Sequence, residues 1–169
     1  MAEQQYDEEY VIEDLVQCMQ ENLNTEIDNI NAEKGAVAGD KRFIPNIPLD
    51  SYIFSALDKT TLNYKNFFIV YDLIDTPIIN SQTGNAIETV LISFEVATFD
   101  ENNKDRFNTL FKLLRYRRAL KAVIKNNPDV FRGYAKALMT GLKPNVLPLA
   151  PNATIIKAGL DITALMTSN

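Results

Sequence analysis

The chain has 169 residues, a formal charge of −5, 46% apolar residues and 23% charged residues. That profile fits one globular domain spanning 1–169 and argues against general affinity for nucleic acid. The absence of histidine and the single cysteine, Cys18, exclude histidine acid–base chemistry and an internal disulfide, and leave little from which to build a zinc site.

Residues 1–7 read as a flexible arm. The opening MAEQQYDEEY is acidic and has no apolar segment like that of a signal peptide. No apolar run approaches the ~18 residues of a membrane helix. The expectation is a protein made and assembled in a cytoplasm, with no membrane partner. A helix is predicted from about Glu8 to Lys34, because Ile12, Leu15, Val16, Met19, Leu23, Ile27 and Ile30 recur at spacings of three and four. Gly35 reads as its stop. Such a stripe needs a partner surface, and a sheet is the expected one.

Residues 35–50, GAVAGDKRFIPNIPLD, form a long connector interrupted by Pro45 and Pro48. Its Phe43, Ile44, Ile47 and Leu49 suit a loop packed over its own core, or one that docks on a partner; the first is the plainer reading. A short strand is expected at 51–57 and a buried one at 66–74, NFFIVYDLI. A turn cluster at 80–85 leads into an alternating strand at 87–99, which would close an antiparallel hairpin. A second long helix is predicted at 104–126, ended by Asn126-Asn127-Pro128. A shorter helical segment at 129–140, a second long connector at 141–153 and a closing strand at 154–166 complete the order. The fold class expected is α+β, an antiparallel β-sheet with two long α-helices packed mainly on one face.

The charges are segregated. Ten acids and no base lie between Met1 and Glu33; seven bases and no acid lie between Arg106 and Asn127. Helices of opposite sign can pair with each other or with neighbouring copies of the chain. The run Arg115-Tyr116-Arg117-Arg118, with Lys121, reads as a solvated face, as a protein interface, or as a nucleic-acid contact, the last ranked below the other two. Glu9 and Glu13 of the acidic helix, and Phe43 and Ile44 of the connector, are the matching interface candidates. No glycine-rich phosphate cradle is present. Asp72, Asp75 and Glu88 could converge across the hairpin to hold Mg²⁺, but solvated surface acids are the plainer reading. Cys18 has no histidine to activate it and reads as a small buried hydrophobe. No cofactor, metal or catalytic residue is expected.

The acidic helix ending in NAEKG, the strand IETVLISFEVATFDENN, the helix LLRYRRALKAVI and the closing strand IIKAGLDITALM resemble the neck and tail-terminator proteins of tailed bacteriophages. The resemblance implies a non-enzymatic virion subunit of tail-terminator-like fold, in a six-fold or twelve-fold homo-oligomeric ring. Such a ring joins the tail tube to the head connector, contacts other neck, connector and tail-tube proteins, and lets DNA pass without specific binding. The competing expectation is a nucleic-acid-binding accessory protein that uses the basic helix 112–125.

Overall fold

The computed structural model describes residues 8–54, 68–75, 87–101, 105–130, 135–141, 145–150 and 153–167. The arm at 1–7 and the turn at 80–85 lie outside these residues.

Helix α1 spans Glu8–Glu33 and helix α2 spans Arg106–Asn126. The stripe that defines α1 is Val11, Leu15, Cys18, Met19, Leu23, Ile27 and Ile30, all buried. Helix α1 ends in a Schellman turn. Ala36 N–H donates to Asn31 O (2.9 Å) and Gly35 N–H to Ala32 O (3.1 Å). Gly35 adopts φ +57°, which a side chain would strain. Helix α2 stops where the Asn127 amide and side chain both donate to Val123 O, at 3.1 and 2.8 Å, just before Pro128.

The two helices pack antiparallel. Arg118 meets Glu33, and eight residues later Asn126 meets Glu26, seven residues back along α1. The α2 side of the core is Leu113, Tyr116, Ala119, Leu120, Val123 and Ile124. Ile44 and Ile47 of the connector fill the seam, and Phe94 and Val96 come from below.

The connector runs along the seam as a strap held by two asparagine side chains. Asn31 donates to Ile44 O (2.8 Å) and accepts from Ile44 N–H (3.2 Å). Asn24 donates to Ile47 O (3.0 Å) and accepts from Ile47 N–H (2.8 Å). Tyr116 donates to Pro45 O between them (2.6 Å), and Tyr52 donates to Met19 O beyond them (3.3 Å). The spacings agree. Seven residues of helix rise about 10.5 Å, and three extended residues span about 10 Å. Each clamped isoleucine precedes a proline in the run IPNIP. That placement disfavours helical backbone at Ile44 and Ile47 and so prepares the extended strap.

The remaining elements are strands, defined by backbone pairing. They are β1 (Tyr52–Phe54), β2 (Phe68–Asp75), β3 (Ile87–Glu101), β4 (Ala135–Gly141), β5 (Asn145–Ala150) and β6 (Ala153–Thr167). Their order is β1-β2-β3-β6-β4, with β5 also on β6.

The expected fold, an α+β tail-terminator-like antiparallel sheet with two helices on one face, is overturned. The packed unit is helical: among the described side chains, the buried core residues other than Phe94 and Val96 come from α1, α2 and the strap between them. Helix α1 is seated on α2 and the strap, with only marginal contact to β3. The pairing is also not uniformly antiparallel, since β1 runs parallel to β2. The helix expected at 129–140 is absent from 135–141, which pair with β6; Phe131 and Tyr134 lie outside the described residues. Residues 145–150 of the second connector pair with β6 as well.

Asn31 is buried, so removing its amide strands the N–H and C=O of Ile44 away from water. Asn31→Ala should cost about 2–4 kcal/mol in urea unfolding, and Asn24→Ala, at a half-buried site, should cost less. A loss below about 1 kcal/mol for Asn31→Ala would show that the strap does not depend on the clamp.

Candidate interaction surface

The antiparallel packing sends the C-terminal end of α1 and the N-terminal half of α2 to one pole of the helix pair. There Arg42 extends from the start of the strap. Its guanidinium lies 4.3 Å from the Phe111 ring centroid and 5.6 Å from that of Phe107, and its Nε donates to Asn108 Oδ1 at 3.1 Å. Phe107 and Phe111 meet edge to face, 4.8 Å apart at 65°. Phe107 remains 64% exposed and Leu114, two turns on, 39%. Exposed aromatic and aliphatic side chains flanked by cations are the usual makings of a protein contact.

The sequence-predicted residues fall in three places. Arg115 and Arg118 act inside the subunit. Arg115 donates to the Arg42 carbonyl. Arg118 forks onto both carboxylate oxygens of Glu33, with Nη1 to Oε1 at 3.0 Å. Arg117 and Lys121 are half-buried on the same helix. Glu9 and Glu13 are exposed on the part of α1 that extends past the last turn of α2, so the structure does not bring them to the arginines. Ile44 is fully buried and Phe43 half-buried, so Ile44 serves the core rather than a partner. The side chains of Asp72, Asp75 and Glu88 lie outside the described residues.

Sequence reasoning passed over Arg42 and the opposite pole. There an open groove of about 360 Å³ lies between α1 and the turn after α2, lined by Asp14, Cys18, Glu21, Asn127, Asp129 and Val130. Cys18, one of the lining residues, is buried. Burial, and after it the Glu21 carboxylate, push the thiol above its ordinary range, although the Asn22 amide opposes this in part. A thiol so placed is a poor nucleophile. Among the described residues, no cluster of three or more His, Cys, Asp or Glu could hold a metal ion. Nor is any described helix long and apolar enough to cross a membrane.

No protein-family model matches the chain, and no curated protein matches it.

Two outcomes test this electrostatic reading. The Arg118 hydrogen bond, followed by that of Lys34, holds the Glu33 carboxyl at about 2, below its ordinary 4.5. A depressed carboxylate stabilises the fold above its unfolded value, so this contribution should be intact above pH 4.5 and fade as pH falls towards 2. Glu33→Gln should flatten that part of the stability–pH curve, by a small amount that added salt reduces further, because the pair is exposed. An unchanged curve would show that the fork contributes nothing. Separately, Cys18 should react with a maleimide far more slowly in the native protein at pH 7 than in urea; equal rates would contradict its burial.

Proposed function

We propose that this protein is a non-enzymatic structural subunit that works by self-assembly. In the setting implied by its likeness to phage neck proteins, it is a ring-forming virion component between tail tube and head connector. The observation that carries this reading is the exposed Phe107–Leu114 face of α2, set among cations at one pole of a helix pair whose other pole is acidic. A subunit interior does not require large apolar side chains in solvent, whereas an assembly contact does.

The competing use of helix 112–125 for nucleic acid is less well supported. Two of its cations are committed inside the subunit, Arg115 to the Arg42 carbonyl and Arg118 to Glu33. The exposed acids of α1 would also repel phosphate.

Mass measurement in solution, paired with duplex DNA binding at two salt concentrations, separates the two readings. Self-assembly predicts a defined species well above 19.1 kDa and no DNA binding at low salt. A monomer that binds DNA with a steep salt dependence would overturn it in favour of the nucleic-acid reading.

A further inference from the structure

We infer that copies of this chain join head to tail, with the Arg42–Phe107 knob at one pole of the helix pair seated in the acidic groove at the opposite pole of the next copy. This deepens, and rests on, the self-assembly reading proposed above.

The helix pair has two unlike poles. Helix α2 begins beyond the C-terminal end of α1, and α1 extends beyond the C-terminal end of α2. The first pole carries Lys34, Lys41, Arg42, Lys112, Arg115 and Arg118 against Glu33, Asp40 and Asp105. At the other pole, Glu9 and Glu13 lie on α1 beside the groove, and Asp14, Glu21 and Asp129 line it, against Lys125 in the last turn of α2. Fifteen residues of α1, from Cys18 to Glu33, separate the groove from the basic pole by about 22 Å.

This arrangement decides the symmetry of the contact. Two basic poles facing each other, or two acidic ones, are like-charged and repel. A basic pole against an acidic pole is complementary. The favoured contact is therefore heterologous, and a heterologous contact repeats until it closes as a ring or runs on as a filament.

The shapes agree with the charges. The knob is an exposed phenylalanine ring with a guanidinium over the aromatic pair, held in place by Asn108 and, through the Arg42 backbone, by Arg115. The groove is open, is large enough for side chains to enter, and has Cys18 and Val130 among the carboxylates of its lining. An arginine entering it finds acids on both walls, Asp14 and Glu21 from α1 and Asp129 from the turn. Leu114 extends the apolar surface beside the knob.

Charge reversal tests this in the full chain. One variant reverses the groove, Glu21→Lys with Asp129→Lys; the other reverses the knob, Lys41→Glu with Arg42→Glu. All four positions are exposed, and circular dichroism checks that each variant folds. Light scattering should show an oligomer for the wild type and the 19.1 kDa monomer for each variant alone. An equimolar mixture of the two variants should regain the assembly, because each reversed groove then meets a reversed knob. If the wild type assembles and the variants assemble equally well, or if the mixture stays monomeric, this contact is wrong while self-assembly stands. A wild type that is monomeric at every concentration and salt overturns both.

Discussion

The structure depends on the pair of asparagine clamps that fasten the strap to α1. Each clamp uses both ends of an amide to pair with a backbone N–H and C=O, doing for a single residue what a neighbouring strand would do. The strap must cross the seam between the helices, where water is excluded, so its polar backbone needs partners there. Asn31 and Asn24 supply them at Ile44 and Ile47, and Tyr116 supplies one at Pro45. The two prolines contribute by lacking an N–H that would otherwise need a partner, and by keeping the preceding isoleucines extended. With the backbone satisfied, Ile44 and Ile47 can enter the core side-chain first. Polar satisfaction and apolar burial are therefore a single requirement here: losing a clamp would expose the seam as well as strand two polar groups.

The same strap fixes the surface. It begins at Arg42, whose carbonyl is held by Arg115 and whose side chain lies over Phe111 and Phe107. The knob therefore stands where the first clamp, two residues later at Ile44, allows it to stand. Antiparallel packing of an acidic and a basic helix then sets the poles. At the level of Glu33 the helices cancel each other's charge by a direct fork. The thiol of Cys18, lone and buried, belongs to the groove's lining, where burial pushes it above its ordinary range.

Both helices were legible in the sequence, because a stripe at spacings of three and four over more than twenty residues has few other meanings. The partner of the α1 stripe was not. Periodicity states that a face is buried but not what buries it, and a sheet was expected where α2 and the strap lie. Residues 129–140 misled for a related reason: Val130, Tyr134 and Leu138 fit helical spacing, while AKALMTG at 135–141 is a short apolar run that suits a strand equally. Asn24 and Asn31 sit beside Leu23 and Ile30, at the margin of the stripe, and look like ordinary polar flanks. Their targets lie 23 and 13 residues away and carry no matching signal. The segregation of charge was plain in the sequence. Its internal use was not, since Arg118 and Glu33 are 85 residues apart and nothing local couples them. Ile44 was named as an interface candidate because its loop could also dock on a partner, although packing over the core was the plainer reading; the clamp is what buries it.

Amide hydrogen exchange at Ile44 and Ile47 tests the clamp most directly. Both amides lie in a proline-bearing connector outside any helix or strand, where exchange is ordinarily fast. If Asn31 and Asn24 hold the strap across the core, both amides exchange slowly. Ile44, whose clamp is buried, then approaches the protection of core helix amides such as Val123. Exchange at Ile44 as fast as at Ala38, in the exposed loop before the strap, would show that the clamp is open in solution and that neither the seam nor the knob is fixed by it.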